Sequence, residues 1–214
     1  KNFQKVGIEI NGLKLNLDKM MKSKQKSVTV LTKGIEFLFK KNKITYFKGQ
    51  GSLKSKNLVS ILDEKNKQTS IESKNIILCT GSEPTPLLGI KFDEDKIVSS
   101  TGALSLSKVP SKMVVVGGGY IGLEMGSVWA RFGSEVHVIE YLDHITPGMD
   151  KEISNEFMKI LTKQGIKFSL QTKVNSIKKT NNSVIVNAED SNKSKKSYEC
   201  DVVLISVGRK PYTK

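Results

Sequence analysis

The alternation of apolar and polar positions between residues 113 and 140 predicts a strand, a turn, a helix and a second strand. Residues 113–116 are a short continuous apolar run, as expected of a parallel strand that is buried on both faces. Apolar residues then recur at helical spacing, which predicts a helix with one core-facing stripe; they are Ile121, Met125, Val128 and Phe132. Gly133 follows the last of them as a helix stop, and residues 135–140 form the next predicted strand.

The first third of the chain predicts a helix followed by short strands. Asn16 is a candidate N-cap for a helix that reaches about residue 41. Its predicted buried stripe is Val28, Leu31, Ile35 and Leu38. The runs 44–47, 58–62 and 69–71 are separated by glycines and polar residues, which predicts a small antiparallel meander. Residues 76–79 predict one more short buried strand.

The remainder of the chain completes an α/β pattern. Residues 84–110 are poor in periodicity and contain three prolines, so they predict a connection between domains with some short structure of its own. The pattern after residue 149 predicts a helix, a third parallel strand, a hairpin followed by a polar loop, and a closing buried strand. Their ranges are 150–164, with Ile153, Phe157, Ile160 and Leu161 on one face, then 166–170, 174–177 with 184–188, and 201–207.

The composition is that of an ordinary soluble globular protein with one or two domains. The chain has 214 residues, 37% of them hydrophobic and 26% charged. No run approaches the roughly 18 apolar residues that span a bilayer, and the first residues lack the apolar core of a secretory signal. Cys79 and Cys200 lie in or beside apolar strand patterns, which indicates packing residues in a reducing compartment, although their distance in sequence alone does not exclude a bridge.

The net charge of +14 permits two interpretations. Residues 1–50 contain 12 lysines against three acidic residues, which could form a patch for nucleic acid or an anionic membrane. Arginine is almost absent and few aromatic residues stand among the lysines, which favours a solvated surface without such partners. We therefore expect neither a nucleic acid nor a membrane as a partner.

The turn after residue 116 has the spacing of a dinucleotide-binding fingerprint. Gly117 would allow a tight turn, Gly119 would let the backbone approach a pyrophosphate, and Gly122 would let the helix pack closely on the strand. The helix start offers amides and a partial positive charge to phosphate. Glu140 lies 18 residues after Gly122 and ends the second strand, where a carboxylate can accept hydrogen bonds from the adenine ribose. With no arginine beside it, Glu140 predicts NAD rather than NADP.

Four segments are specific enough to suggest a family: VVVGGGYIGLEMGSVWARFGSEVHVIE, IILCTGSEPTP, LNLDKMMKSK and VVLISVGRKPYT. Together they resemble the dihydrolipoamide dehydrogenases, which are flavin-dependent pyridine nucleotide–disulfide oxidoreductases. The resemblance covers nearly the whole chain in the family's order. It implies an α/β fold in which a Rossmann-like NAD-binding domain, with a parallel sheet and a β-meander or hairpin, is inserted in a partial FAD-binding domain. The implied domains are residues 1–111 (FAD), 112–210 (NAD) and 211–214 (return to the FAD domain).

The resemblance also implies cofactor-binding positions. The FAD contacts would be Gly51, Thr80, Gly81 and Ser82. The NAD contacts would be Gly117, Gly118, Gly119, Tyr120, Ile121, Gly122, Leu123, Glu124, Glu140, Val174 and Gly208. Within that set, Glu124 resembles a carboxylate near the nicotinamide, and Tyr120 resembles an aromatic residue that covers the flavin until the nicotinamide displaces it.

Several parts of the family's machinery have no counterpart in these 214 residues. They are the first FAD fingerprint, the Cys-xxxx-Cys redox pair, a later Gly-Asp flavin segment, and the C-terminal interface domain with its His–Glu pair. His137 and His144 match neither member of that pair and predict structural or solvated roles. We therefore expect an inactive central fragment with no catalytic residue and no metal site. The helix before residue 41 and the strand ending at Cys79 should expose apolar surface.

For the intact enzyme, the resemblance implies oxidation of dihydrolipoyl groups carried by the acyltransferase of 2-oxoacid dehydrogenase complexes. Electrons would pass through FAD to NAD⁺ in a homodimer, in the bacterial cytoplasm or the mitochondrial matrix. Three alternatives stay open. They are another disulfide reductase of the family, such as a glutathione or mercuric reductase or a soluble transhydrogenase; a non-catalytic nucleotide-binding module; and a nucleic-acid binder.

Overall fold

The computed structural model describes Gly12 and residues 14–213, and the chain divides into two compact units. One unit comprises Lys19–Gly81, and the other comprises Ser82–Lys214 together with Lys1–Asp18. The predicted domains meet at residues 111 and 112, whereas the compact units meet between Gly81 and Ser82. Residues 1–11, 13 and 214 of the predicted domains lie outside the described residues.

The smaller unit consists of a helix and an antiparallel meander, as the sequence pattern predicts. Helix α1 spans Leu17–Lys41, and strands β1 (Gln50–Ser55), β2 (Leu58–Leu62) and β3 (Gln68–Glu72) pair in that order. The prediction of a strand at 44–47 is wrong. The first strand is instead the polar segment QGSLKS, which is defined by its pairing with β2 from Gln50↔Leu62 to Ser55↔Leu58. The position of this strand is determined by its backbone pairing with β2 and not by a pattern of apolar side chains.

The apolar face of α1 is exposed. No residue of the helix is buried, and the four residues of the predicted stripe are 43–70% exposed. The strand predicted at 76–79 is absent: those residues pair with no described strand, and Ile77 is 86% exposed. The predicted burial of both segments is therefore wrong, whereas the predicted exposure of apolar surface is confirmed. No described helix is both long and apolar enough to cross a bilayer.

The described residues of the larger unit form thirteen further elements, of which five strands pair in one sheet. Before the glycine-rich turn they are β4 (Ser82–Pro84), β5 (Ile97–Val98), α2 (Ser100–Ala103) and β6 (Lys112–Val116). After it come α3 (Tyr120–Arg131), β7 (Glu135–Ile139), α4 (Lys151–Lys163), β8 (Lys167–Ser169), β9 (Thr172–Lys179) and β10 (Val184–Asp190). The last are β11 (Lys195–Cys200), β12 (Val202–Ile205) and β13 (Arg209–Pro211).

The five-stranded sheet is entirely parallel and has the order β5-β12-β6-β7-β8. From β6 the chain adds β7 and then β8 on one side, and β12 returns to pair on the other side of β6. The strand order therefore reverses between β6 and β12, which makes their carboxyl ends a topological switch point where open α/β sheets bind ligands. The predicted parallel strands are confirmed. In addition, β5 joins this sheet from the segment that was predicted to be a connection.

A second, antiparallel sheet covers one face of the parallel sheet. Its order is β11-β10-β9. Val184, Val186 and Cys200 of this sheet share a buried cluster with alternate residues of the parallel strands, including Val114 and Val116. The predicted hairpin is confirmed, but the predicted polar loop after it is wrong in part, because β11 pairs with β10 from Cys200 to Lys195. β11 is an exposed edge strand and needs no alternation of apolar residues, so its lysine-rich sequence does not predict a strand.

Helices α3 and α4 are both confirmed, but their buried faces differ from the prediction. The buried residues of α3 are Gly122, Leu123, Gly126 and Trp129, whereas Val128 is 36% exposed. The two glycines face Val115 and Val136 of the sheet, so the helix contacts the strands through backbone rather than through a stripe of large side chains. On α4, only Ser154 and Leu161 are buried, and Ile153 and Ile160 are about half exposed.

Asp93 ties β5 to the antiparallel sheet. Its Oδ1 accepts hydrogen bonds from the amides of Asp95, Lys96 and Ile97 at 2.8–3.0 Å, and its Oδ2 accepts one from Lys179 Nζ at 2.6 Å. Partial burial acts to raise the pKa of the Asp93 carboxyl, but these donors outweigh it and hold the pKa well below its ordinary value.

Asp93→Asn should lower the free energy of unfolding by about 1–2 kcal/mol at pH 7, because the neutral amide loses the charge that these donors stabilise. A carboxyl with a depressed pKa stabilises the fold above its unfolded pKa; the contribution starts to decline as the pH falls through about 4 and is lost only as the pH falls through the lower folded pKa. Urea denaturation from pH 7 to pH 3 should show the stability difference between the two proteins narrowing only at the acid end. Asp95→Asn is the control, since Asp95 is 78% exposed and lies 3.9 Å from Lys179. A pH-independent difference for Asp93→Asn would contradict this account.

Candidate dinucleotide-binding site

Gly117 makes the turn that ends β6. Its φ of +103° lies in the left-handed region that favours glycine, and a Cβ there would stand 2.5 Å from the carbonyl oxygen of Ser206. Its amide donates to the carbonyl of Ile139 at 2.9 Å. Ser206, the residue after β12, also contacts the turn: its Oγ donates to the carbonyls of Val116 and Gly117 at 3.1 and 3.2 Å. The turn is therefore held between the ends of β7 and β12.

Gly119 lies at the start of α3 and faces open space. It is the N-cap of the helix, with φ −76° and ψ 172°, and no side chain caps the helix start. Among the described residues, a Cβ at Gly119 would meet no atom within 4 Å other than its chain neighbours and the helix backbone. The first four amides of an α-helix have no intrahelical acceptor, so this start presents donors and a partial positive charge to an open cleft. These features fit a pyrophosphate group, as the glycine spacing predicts.

Gly118 and Gly122 of the same turn make close contacts within the protein. The Gly118 amide donates to Glu140 Oε2 at 2.5 Å, and its carbonyl accepts from the Thr146 amide at 2.8 Å. A Cβ at Gly122 would stand 2.4 Å from Ser206 Oγ and 2.5 Å from the Gly117 carbonyl oxygen. Gly122 therefore permits close packing of helix and strand, which is the role that the fingerprint predicts for its third glycine.

Glu140 is buried at the end of β7, with 7% of its surface exposed. Besides Gly118, it binds the amide of Leu142, which donates to Oε1 at 2.8 Å. A carboxylate oxygen can accept more than one hydrogen bond, so both oxygens keep capacity for a ligand's hydroxyl groups. Glu140 thus has a structural role that the sequence does not reveal: it links the glycine-rich turn to the loop after β7.

A cleft of about 1180 Å³ lies in front of these groups, within the larger unit. Most of the NAD contacts implied by the resemblance line it; they are Gly117, Gly119, Tyr120, Ile121, Glu124, Glu140, Val174 and Gly208. Leu123 is only 1% exposed, which places its side chain in the core. Other cleft residues were not predicted, including Ser206, Arg209, Thr146 and Lys173. Ser206 directly follows β12, Arg209 begins β13 and Lys173 is the second residue of β9, so position at a strand end is the signal that could have indicated them.

The predicted FAD contacts are distributed over both units. Gly51 lies in β1 and is exposed, and Thr80 and Gly81 are exposed at the end of the smaller unit. Ser82 begins the larger unit in β4, which pairs with β13. Its Oγ accepts a hydrogen bond from Arg209 Nε at 2.7 Å, and its carbonyl accepts one from Nη2 at 2.5 Å. Binding of FAD by these residues stays a prediction.

Neither histidine lines the cleft. His137 Nε2 lies 2.9 Å from Ser169 Oγ, and the ring meets Tyr198 edge-on at 4.7 Å between centroids. Burial is the main cause that lowers the pKa of His137, with the charge of Lys167 acting in the same direction. His144 Nδ1 contacts Asp143 Oδ1 at 2.5 Å. Both arrangements agree with the structural roles that the sequence predicts.

The two cysteines are free and differ in environment. Cys200 is buried in the core between the two sheets, and burial raises the pKa of its thiol to about 11. Cys79 is exposed. The predicted packing role is therefore confirmed for Cys200 and wrong for Cys79, because the strand predicted around Cys79 does not form.

Comparisons with known proteins show which family the chain is similar to. The family model of pyridine nucleotide-disulphide oxidoreductases matches residues 3–214. Dihydrolipoamide dehydrogenase of Chaetomium thermophilum is 54% identical over 97% of the chain, and the mitochondrial dihydrolipoyl dehydrogenase of Homo sapiens is 49% identical over all of it. Among solved structures, the HOCl-induced flavoprotein disulfide reductase RclA from Escherichia coli, as a copper(II) complex of a cysteine variant, superposes with a TM-score of 0.76. It is 27% identical, over 91% of this chain and 43% of that one.

The chain belongs to the pyridine nucleotide-disulphide oxidoreductase family. Among its relatives, the sequences that it matches at 47–54% identity are dihydrolipoyl dehydrogenases. Membership implies FAD and NAD as cofactors. The chain spans about 42% of the length of these relatives.

Proposed function

We propose that this chain forms the NAD site and part of the FAD site of a dihydrolipoyl dehydrogenase. The observation that carries the proposal is the uncapped start of α3 at the switch point between β6 and β12, with open space at Gly119 and a buried carboxylate at Glu140. The NAD-binding part is assigned to residues 112–210 of the larger unit, and residues 1–111 and 211–214 are assigned to the FAD-binding part.

In the intact protein, the proposed reaction is oxidation of a dihydrolipoyl group that an acyltransferase of a 2-oxoacid dehydrogenase complex carries. FAD and NAD supply hydride transfer when bound. This chain's residues bind and orient the dinucleotide: the α3 amides hold its pyrophosphate, Glu140 accepts hydrogen bonds from its adenine ribose, and Val174 forms part of the wall beside it. Tyr120 and Glu124 lie at the start of α3, where they flank the nicotinamide end. The relatives' mitochondrial names support a mitochondrial location, and the intact protein is proposed to be a homodimer.

Direct titration tests the proposed function. The 214-residue chain should bind NADH, as followed by NADH fluorescence or calorimetry, and should bind NADPH more weakly, because a 2′-phosphate would approach Glu140. The full-length gene product should oxidise dihydrolipoamide with NAD⁺, whereas the 214-residue chain alone should not. A chain that binds neither NADH nor NAD⁺ would contradict the assignment.

Glu140→Gln should weaken NADH binding about five- to tenfold, because the ribose hydroxyls lose an ionised acceptor. Glutamine keeps one carbonyl oxygen for the amide of Gly118 or Leu142, so the loss of unfolding free energy should stay near 1 kcal/mol. The measurement pairs an NADH titration with urea denaturation of the same preparation. Glu152→Gln on exposed helix α4 is the charge-matched control. NADH affinity that is unchanged in Glu140→Gln would remove Glu140 from the ribose site.

A further inference from the structure

Ser206 lies where the cleft meets the glycine-rich turn. It is half-buried, it directly follows β12, and it lines the cleft. Its hydroxyl donates to the carbonyls of Val116 and Gly117, so one proton is shared between two acceptors. The backbone amide of Ser206 already donates to the Val116 carbonyl at 2.8 Å. Of the donors that the structure describes, only the hydroxyl reaches the Gly117 carbonyl, which therefore depends on the serine side chain.

The Gly117 carbonyl and the Gly118 amide belong to the same peptide unit, which is trans. In a planar trans peptide, the C=O and N–H groups point to opposite sides. The N–H donates to Glu140 Oε2 at 2.5 Å, and the C=O accepts from the Ser206 hydroxyl at 3.2 Å. Ser206 and Glu140 therefore hold one peptide unit from opposite sides. Hydrogen bonds in such a chain polarise one another, so donation to the carbonyl strengthens the bond from the amide to the carboxylate.

This peptide unit has little restraint of its own, because a glycine stands on each side of it. Glycine adopts positive φ about as readily as negative φ, so no side chain opposes rotation of the peptide plane. A rotated peptide would direct the Gly117 carbonyl oxygen, instead of the Gly118 N–H, toward Glu140. The carboxylate would then face a repelling oxygen and would keep only its second amide donor, that of Leu142.

We infer that Ser206 is a positioning residue for Glu140, acting through the peptide between Gly117 and Gly118. This inference rests on the proposed function, because it takes the Glu140 carboxylate as the acceptor for the adenine ribose. With the peptide held, the carboxylate keeps one orientation, in which it accepts hydrogen bonds from the ribose hydroxyls and repels a 2′-phosphate. Ser206 therefore contributes to the preference for NAD over NADP through Glu140, and not through a bond of its own to the ribose.

NADH and NADPH titrations of the 214-residue chain test this role. Ser206→Ala should weaken NADH binding about three- to fivefold, an effect of the size of one hydrogen bond, and should change NADPH binding less than about twofold. The preference for NADH should fall accordingly. Ser206→Cys keeps a weak S–H donor and should give an intermediate NADH affinity. In the Glu140→Gln background, Ser206→Ala should change NADH affinity less than about 1.5-fold, because the carboxylate that the serine positions is already gone.

Ser134→Ala is the matched control. Ser134 Oγ donates to the Pro110 carbonyl at 2.6 Å, and these two residues precede the amino ends of β7 and β6, away from the cleft. Both alanine variants lose a hydrogen bond from a hydroxyl to a backbone carbonyl, so their thermal unfolding midpoints should fall by a similar amount, about 2–4 °C. Only Ser206→Ala should change NADH affinity.

The outcomes separate this inference from the proposed function. A loss of NADH preference that is specific to Ser206→Ala and disappears in the Glu140→Gln background supports both. NADH binding with equal affinities for Ser206→Ala and Ser134→Ala overturns the role of Ser206 and leaves the proposed function standing. An equal loss of NADH affinity in both backgrounds also overturns it, since Ser206 would then act independently of Glu140. Absence of NADH binding to the unmodified chain overturns the proposed function and, with it, this inference.

Discussion

Gly119→Val is expected to abolish NADH binding by the 214-residue chain while leaving its fold intact. Beyond its chain neighbours and the helix backbone, a Cβ at this position would meet no atom of the described residues within 4 Å. Its backbone conformation, with φ −76° and ψ 172°, is one that valine adopts readily. The branched side chain would instead occupy the space in which the pyrophosphate must approach the amides of α3. We expect an affinity loss of at least about 50-fold, or more than 2 kcal/mol, by NADH titration.

The fold of this variant is checked in the same samples. Valine is a poorer N-cap than glycine, so urea denaturation should show a loss of about 1 kcal/mol or less. Gly133→Ala provides the comparison, because Gly133 ends α3 at a distance from the cleft and its φ of +106° predicts a stability loss without an effect on binding. Normal NADH affinity in a folded Gly119→Val protein would refute the proposed position of the pyrophosphate.

Gly122→Val is expected to have the opposite profile, with a loss of at least about 3 kcal/mol of unfolding free energy. A Cβ at this position would stand 2.5 Å from the Gly117 carbonyl oxygen and 2.9 Å from Val115 Cγ1. Neither the turn backbone nor a buried strand residue can move away without separating α3 from the sheet. NADH binding should be lost together with the fold, as measured by circular dichroism and urea denaturation.

Gly126→Ala is the matched control on the same buried face of α3. Its Cβ would approach Val136 Cγ1 at 3.3 Å and Val115 Cγ2 at 3.4 Å, which are contacts that methyl groups can relieve by small shifts. Its cost should therefore be about 1 kcal/mol or less, partly offset by alanine's higher helix propensity. If Gly122→Val were as stable as Gly126→Ala, the close approach of helix and turn would be incorrect.

The parallel core could be predicted from the sequence because burial on both faces leaves a clear signal. β12 consists only of valine, leucine and isoleucine, β6 is apolar from Met113 to Val116, and β7 buries Val136, Val138 and Ile139. The helices between them have helical periodicity and glycine stops. The same pattern wrongly predicts a buried strand at residues 76–79. That run is as apolar as β6, but an apolar run becomes a strand only where another strand pairs with it, and sequence pattern contains no information about the pairing partner.

The apolar pattern does not predict strands that form through backbone pairing and bury few side chains of their own. β11 is an edge strand with three lysines or serines at its start, and β5 is only two residues long within a proline-flanked segment. The stripe on α3 was also misassigned. Its glycines, which hydrophobicity counts as neutral, occupy the face in contact with the sheet, so the apolar pattern points to the large residues beside them instead.

The candidate site was predictable where backbone geometry constrains the residue type. Gly117, Gly119 and Gly122 each occupy a position where a side chain would strain the turn, fill the cleft or strike the strand. Ser206, Thr146 and Lys173 were missed because many residue types could stand at their positions, and only the folded topology brings them to the cleft. The hydrogen bonds of Glu140 to two backbone amides were likewise invisible, since a motif identifies an acid but not its neighbours.

The place of β12 in the sheet has a consequence for how this protein is made. The 94 residues from Lys112 to Ile205 must all be translated before β12 can insert beside β6. At about 5–20 residues per second, the ribosome needs roughly 5–20 s to add them. During that interval β6, β7 and β8 can associate, but one edge of β6 stays unpaired, and its backbone N–H and C=O groups are available to pair with a strand of another chain.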